Sequence, residues 1–134
     1  DFSYGKPFTE EVEEELLQAL SPDYIAGLTL LGGDPMEPEN QRVLYPFVQK
    51  VRERLPNKTI WCYTGYTFKD GAIEEEQANC EVTRGLISLF DVLVDGRFIE
   101  DLKDIRLVFR GSSNQRIIDV KKTLSSGNIV LYLT

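Results

Sequence analysis

Three short polar segments that contain glycine follow apolar runs of the chain and could carry a ligand site. Gly32–Pro35 offers backbone amides and carbonyls that no side chain shields, together with the carboxylate of Asp34. Tyr63–Tyr66 offers hydroxyl groups and aromatic faces, and Asp95–Arg97 offers a second carboxylate. Because ligands of parallel α/β sheets bind beyond the carboxyl ends of the strands, the three positions indicate one shared site.

Each segment also has a purely structural interpretation. Gly-Gly-Asp-Pro, Thr-Gly and Asp-Gly are frequent turn sequences. Aromatic residues such as Trp61, Tyr63 and Tyr66 are more typical of a core or its rim than of an adenine platform. Arg110–Gln115 is equally open, either as a polar loop that contacts a cofactor or partner, or as a turn before the last strands. The occurrence of three such segments at successive strand ends favours the ligand site.

The chain contains no histidine and only two cysteines, Cys62 and Cys80. The absence of histidine excludes a Ser-His-Asp triad, a Cys-His pair and a zinc site built on imidazole. Two cysteines cannot complete a four-cysteine zinc site or the ligand set of an iron–sulfur cluster. We therefore expect both cysteines to be ordinary free thiols and assign no metal ligand within the sequence.

The charge balance is acidic, with 15 Lys and Arg against 22 Asp and Glu, a net charge of −7 over 134 residues. Such a domain disfavours nucleic acid and anionic membrane as partners, and it tolerates a cationic ligand. No apolar run reaches the length of a membrane helix, and no signal peptide is evident. We expect a single cytoplasmic domain over residues 1–134. Residue 1 is Asp rather than Met, so we expect the chain either to have been processed or to be part of something longer.

Alternating helix and strand patterns must position these segments. Apolar residues at helical spacing predict a helix over residues 9–20 with Thr9 as N-cap, and further helices within 39–55 and 72–89. Pro46 marks either the first turn of the second helix or a kink. Apolar runs predict buried parallel strands at 25–31, 59–63 and 90–94. Their centres are 32 residues apart, which fits repeated βαβ units of roughly 30 residues or more.

The pattern changes after the third strand. Short strand-like runs at 106–110, 116–120 and 128–133 are separated by polar turns, and no long helix is expected between the last two. We predict a small C-terminal β region packed beside the parallel sheet. The fold class is therefore α/β.

Four segments, in order along the chain, resemble the activating proteins of anaerobic (class III) ribonucleotide reductase, a family of small radical S-adenosylmethionine enzymes. They are Leu28–Pro35, Trp61–Tyr66, Phe90–Phe98 and Arg110–Asp119. Residues Asp1–Phe8 also resemble the segment that follows the cluster-binding loop of that family. The resemblance extends over nearly the whole chain, and it implies an incomplete (β/α) barrel of the radical S-adenosylmethionine type.

The resemblance also implies a function and a set of cofactors. The family binds a [4Fe-4S] cluster and S-adenosylmethionine, cleaves the latter reductively, and uses the 5′-deoxyadenosyl radical to take hydrogen from a glycine of the reductase large subunit. The electron comes from a donor such as a flavodoxin. Carried over by motif, the Gly-Gly-Asp-Pro residues meet the methionine amino group, and the residues at the next two strand ends contact ribose or methionine. The implied cofactor-binding residues are Gly32, Gly33, Asp34, Pro35, Thr64 and Asp95.

One departure bears directly on activity. The family holds its cluster with a C-x3-C-x2-C loop, and this sequence contains no such loop. We expect the loop and the first strand to lie upstream of Asp1, so that the 134 residues alone are inactive. The alternative is a noncatalytic docking module that binds the partner but no cluster. Another kind of nucleotide-binding α/β protein is disfavoured, because neither Gly-x-Gly-x-x-Gly nor Gly-x4-Gly-Lys-Ser/Thr occurs.

Overall fold

The computed structural model of the protein describes residues 9–133, so the likeness at residues 1–8 lies outside the described part. Two β-sheets and four α-helices make up this part. The strands are β1 (Gly27–Leu30), β2 (Thr59–Tyr63), β3 (Phe68–Lys69), β4 (Ala72–Ile73), β5 (Val92–Asp95), β6 (Arg116–Asp119) and β7 (Leu131–Leu133). The helices are α1 (Glu10–Leu20), α2 (Pro38–Arg54), α3 (Thr83–Ser88) and α4 (Val120–Ser126).

The main sheet is open and has the strand order β1-β2-β5-β6-β7. The first three strands are parallel, with Leu28 opposite Ile60 and Trp61 opposite Val92, so the predicted βαβ arrangement is confirmed. The last two strands are antiparallel to their neighbours. The predicted C-terminal β region is thus an extension of the same sheet rather than a body beside it, and the fold is a mixed α/β sheet.

The helices cover one face of this sheet. Side chains of β1, β2, β5 and β6 on that face form one core with the apolar sides of α1–α4. The opposite face carries Trp61, Tyr63, Val92, Val94 and Ile117. The largest buried side chains of the helical face are Phe47, Phe90, Met36, Leu44, Ile60 and Leu86. No helix within residues 9–133 is both long and apolar enough to cross a membrane.

The two long helices, α1 and α2, agree closely with the helices predicted from the sequence. Thr9 caps α1 as predicted, since its hydroxyl accepts a hydrogen bond from the amide of Val12 at 3.2 Å. Helix α2 begins at Pro38, a favourable first-turn position for proline, whereas Pro46 lies in the helix interior. Pro46 therefore does not mark the first turn.

The helix predicted within residues 72–89 is much shorter than expected. Only α3 is helical, and the preceding residues form β4 and a 3-10 turn. A tight turn with positive φ at Asp70 (51°) and Gly71 (81°) pairs β3 with β4 as a hairpin. The side chain of Asn79 then bonds the amide and carbonyl of Ile73, at 3.1 and 2.7 Å, and so fixes the chain outside a helix.

The C-terminal prediction was wrong at the first of its three runs. Residues 106–110 form no strand, because the carboxylate of Asp104 binds the amide and guanidinium of Arg106 and holds a turn there. The strand expected at 128–133 is shorter, and helix α4 precedes it. Asp119 caps α4 by accepting from the amide of Lys122 at 3.0 Å, and Gly127 (φ 78°) ends it. An Asp N-cap and a Gly C-cap are recognisable sequence signals for such a helix.

Arg52 attaches α2 to the edge of the sheet that lies opposite the edge with the polar segments. Its guanidinium donates to the carbonyls of Leu89 and Lys58, at 2.8 and 3.0 Å, and to the carboxylate of Asp91 at 2.5 Å. The same Asp91 carboxylate accepts from the amide of Ile60 at 2.7 Å. One side chain thus connects α2 with the chain before β2 and before β5.

Replacing this clamp should weaken the fold. We expect Arg52→Met to lower the free energy of unfolding by about 3 kcal/mol, because removing one member of a largely buried ion pair leaves the other uncompensated. Urea unfolding followed by circular dichroism measures the loss. Arg42→Met is the matched control, since Arg42 forms its ion pair with Glu81 in solvent. Equal losses in the two variants would contradict the assigned role of Arg52.

Candidate cofactor-binding edge

The carboxylate of Asp34 joins the ends of the first two strands. Its Oδ1 accepts a hydrogen bond from the hydroxyl of Thr64 at 2.8 Å, and its Oδ2 accepts from the amide of Gly65 at 2.9 Å. Asp34 follows β1, whereas Thr64 and Gly65 follow β2. The structure therefore brings two of the three polar segments of the sequence into direct contact.

Asp34 also organises its own turn. Its Oδ1 accepts from the amide of Met36 at 2.9 Å, and its carbonyl accepts from the side chain of Asn40 at 2.9 Å and the amide of Glu37 at 3.1 Å. The carboxylate thus receives three hydrogen bonds, while a carboxylate has roughly four lone-pair positions. It is held in one orientation and keeps capacity for one more donor.

Gly32 and Gly33 leave the backbone of this turn open. Both residues are exposed, and a Cβ added to either would meet no heavy atom within 4 Å. Gly32 has φ 97°, a conformation that favours glycine, whereas Gly33 is free of that constraint. Pro35, by contrast, is buried and anchors the end of the turn. The amides and carbonyls beside the two glycines are therefore accessible to a ligand.

Thr64 forms hydrogen bonds to residues at the ends of both neighbouring strands. Its amide donates to the carbonyl of Val94 at 3.0 Å, and its buried hydroxyl, which donates to Asp34, also accepts from the amide of Tyr66 at 3.1 Å. The hydroxyl is thus a positioning group for Asp34 in the described structure.

Asp95, at the end of β5, is directed into the protein. The residue is 1% exposed, and its carboxylate receives the guanidinium of Arg116 at 2.6 and 3.0 Å and the amide of Phe68 at 2.7 Å. This hydrogen bond to Asp95 raises the pKa of Arg116 above its usual range. Arg116 was not predicted as a partner of Asp95, because the pair follows only from the antiparallel register that places the two residues opposite each other.

Glu37 and Tyr66 complete the connection between the three segments. The hydroxyl of Tyr66 donates to the carboxylate of Glu37, and the carbonyl of Tyr66 accepts from the amide of Gly96 at 2.8 Å. The hydrogen bond to Glu37, followed by burial and the charge of that carboxylate, raises the pKa of Tyr66 to about 12. Sequence reasoning missed Glu37, because no local pattern connects it with Tyr66.

Arg110–Gln115 forms a compact hydrogen-bonded unit, which we call the Gln115 latch. The Oε1 of Gln115 accepts from the amides of Gly111 and Ser112 at 2.9 and 3.1 Å, and its Nε2 donates to the carbonyl of Gly96 at 3.0 Å. Arg110 donates to the carbonyl of Gln115 at 2.6 Å. The latch ties the loop that follows β5 back to its starting point.

Comparison with known proteins accords with the motifs at this edge. A model of the 4Fe-4S single cluster domain family matches residues 1–118. An anaerobic ribonucleoside-triphosphate reductase-activating protein of Pasteurella multocida is 43% identical over 118 residues, which cover 87% of this chain and 71% of the relative. The chain belongs to the family of anaerobic ribonucleoside-triphosphate reductase-activating proteins.

Other members of this activating-protein family match over a similar range. The protein of that name from Haemophilus influenzae is 41% identical over 118 residues, covering 87% of this chain and 71% of the relative. The one from Escherichia coli K12 is 39% identical over 113 residues, covering 83% of this chain and 68% of the relative. No solved structure matches the chain significantly.

The cysteines of this family member do not fit a cluster site. Cys62 is fully buried in β2 on the helical face, and burial, with a smaller effect of the Asp34 charge, raises the pKa of its thiol. The thiol of Cys80 lies 3.4 Å from the side-chain oxygen of Gln41. Within residues 9–133 no three His, Cys, Asp or Glu side chains are grouped to hold a metal. The described residues therefore supply no ligand set for [4Fe-4S].

The Glu37–Tyr66 contact has a measurable signature. We expect the Tyr66 phenol to ionise near pH 12 in the folded protein, above its ordinary 10.0, and Glu37→Gln to move that titration downward. The stabilisation from this contact is full below about pH 10 and is lost as the pH rises through about 12. Ultraviolet absorbance titration, with Tyr66→Phe identifying the signal, measures it. A Tyr66 signal unchanged by Glu37→Gln would contradict the contact.

Proposed function

We propose that this protein activates an anaerobic ribonucleoside-triphosphate reductase as a radical S-adenosylmethionine enzyme, with Gly32–Pro35 holding the methionine end of S-adenosylmethionine. Bound S-adenosylmethionine would supply, on reductive cleavage, the radical that takes hydrogen from a reductase glycine. The observation that carries the proposal is an oriented carboxylate, Asp34, beside two glycines with open backbone. The names of the relatives supply the reductase as the partner.

The chemistry of the edge suits the methionine ammonium group. An ammonium has three donors and no acceptor, so it needs a carboxylate or carbonyl oxygens. Asp34 keeps room for one further donor, and the carbonyls near Gly32 and Gly33 are accessible. S-adenosylmethionine carries a net positive charge, and the chain has a net charge of −7. The electrostatic field of the acidic chain therefore favours a positively charged ligand.

The two other side chains predicted to contact the ligand are less available to it. Thr64 and Asp95 were expected to contact ribose or methionine, and in the described structure both side chains are engaged by other residues. In the proposed function Thr64 keeps Asp34 oriented toward the ligand. Asp95 would reach a ligand only if Arg116 released it, so its first role is to hold the end of β5 in place.

A second candidate function is a noncatalytic docking module. It is favoured by one observation, that neither Cys62 nor Cys80 lies in an arrangement that could bind the cluster. The activating role requires cluster ligands other than these two thiols. We propose that those other ligands lie upstream of Asp1. The two functions differ in whether the protein made from the complete reading frame binds iron and sulfide.

The activating function has a direct test. The protein from the complete reading frame, reconstituted anaerobically with iron and sulfide, should cleave S-adenosylmethionine to 5′-deoxyadenosine when reduced. Mixed with the reductase, it should produce a glycyl radical that electron paramagnetic resonance detects. A protein that binds the reductase but takes up no cluster and cleaves no S-adenosylmethionine would support the docking module instead.

The ligand position is tested by filling the space beside Gly33. We expect Gly33→Leu to weaken S-adenosylmethionine binding by about tenfold or more, roughly 1.4 kcal/mol, because the side chain occupies open space that the ligand needs. The variant should fold normally, since no atom lies within 4 Å of the added Cβ.

Equilibrium dialysis of the reconstituted protein measures this affinity. Ala19→Leu adds a side chain at an exposed position on α1 and serves as the control. If Gly33→Leu binds S-adenosylmethionine as tightly as the control, the assignment of Gly32–Pro35 to the methionine end is wrong.

A further inference from the structure

The segment between β5 and the Gln115 latch displays large apolar side chains to solvent. We call residues 97–109 the apolar loop. Ile105 is 90% exposed, Val108 59% and Phe109 50%, and Phe98 and Leu102 are also exposed. A concentration of this kind on one loop is typical of a surface that another protein covers.

Hydrogen bonds hold much of the backbone of this loop in place. The Gln115 latch closes its base, the side chain of Asn114 donates to the carbonyl of Arg97 at 2.8 Å, and the amide of Ser113 donates to the carbonyl of Leu102 at 2.9 Å. The side chain of Ser112 also accepts from the amide of Ile99 at 3.2 Å. The backbone is therefore fixed while the apolar side chains remain in water, an arrangement that reduces the entropy lost on binding.

Phe109 connects the loop with the open face of the sheet. It is a bulky residue with φ 65°, a conformation that costs free energy outside glycine. Its ring centroid lies 4.9 Å from that of Trp61 in an edge-on contact, and Trp61 in turn contacts Tyr132 at 5.3 Å. The apolar surface thus continues from the loop onto the aromatic side chains of the sheet.

The charge of the loop differs from that of the rest of the chain. Residues 97–109 contain three basic and three acidic residues, so the loop is neutral within a chain of net charge −7. Two copies of so acidic a chain repel each other, which disfavours a second copy as the occupant. An apolar segment of another protein meets no net charge at the loop. The basic residues are Arg97, Lys103 and Arg106, and the acidic ones are Glu100, Asp101 and Asp104.

We propose that the apolar loop is the docking surface for the reductase and receives an apolar segment of it. This inference rests on the proposed function. The loop starts immediately after Gly96, whose amide bonds to Tyr66 at the candidate edge. A reductase segment that brings its glycine to this edge would therefore pass beside the start of the loop.

The test compares two sets of charge substitutions in the protein from the complete reading frame. The double variant Ile105→Asp, Val108→Asp should weaken binding to the purified reductase by about tenfold or more, because docking would bury carboxylates against apolar groups. Leu124→Asp, on the exposed side of α4 away from the loop, should leave the affinity unchanged. Biolayer interferometry gives the affinities, and thermal unfolding verifies that each variant is folded.

The outcomes separate this inference from the proposed function. If the double variant binds the reductase as tightly as the unsubstituted protein, the docking surface is wrong even where a glycyl radical forms. If the unsubstituted protein forms no radical but the affinity difference appears, the docking surface stands and the activating function fails. Light scattering that detects a dimer of the unsubstituted protein and a monomer of the double variant would overturn the reductase as occupant.

Discussion

The shape of the candidate edge depends on the hydrogen bonds that the Asp34 carboxylate accepts. Those from Thr64 and Gly65 tie the end of β1 to the end of β2, and the one from Met36 fixes the turn that leads into α2. Tyr66 extends the connection to Gly96 after β5. The protein thus supplies the bonds that order the edge, so a ligand meets groups that are already oriented.

The two acidic residues of the edge have different surroundings and so suit different tasks. Asp34 lies beside open glycine backbone, whereas Asp95 is enclosed and paired with Arg116. A buried ion pair gives little net stability, but it fixes which groups face each other. Here the pair also binds the amide and carbonyl of Phe68, so it aligns the β3–β4 hairpin with the sheet. The end of β5 is therefore a support for the edge, and the end of β1 is its accessible part.

Local patterns were sufficient for the elements whose burial is continuous or periodic. The three parallel strands and α1 follow from apolar runs and an N-cap, and motifs placed Asp34 and Thr64 at neighbouring strand ends. Prediction failed where the structure depends on distant partners. The extension of the sheet by β6 depends on pairing such as Val92 with Asp119, and the link between Glu37 and Tyr66 joins residues far apart in sequence. No local signal encodes either contact.

The two faces of the sheet also divide the possible chemistry. Cys62 points into the layer filled by the helices, where burial keeps its thiol protonated, so recruiting it as a cluster ligand would require opening the core. Trp61 and Tyr63, its neighbours in β2, face the opposite side of the sheet. Among the described residues, the aromatic rings that contact Trp61 on that side are those of Phe109 and Tyr132. Strand alternation thus separates the thiol from the accessible face. A ligand can therefore reach the Gly32–Pro35 turn from that face without disturbing the packed helices.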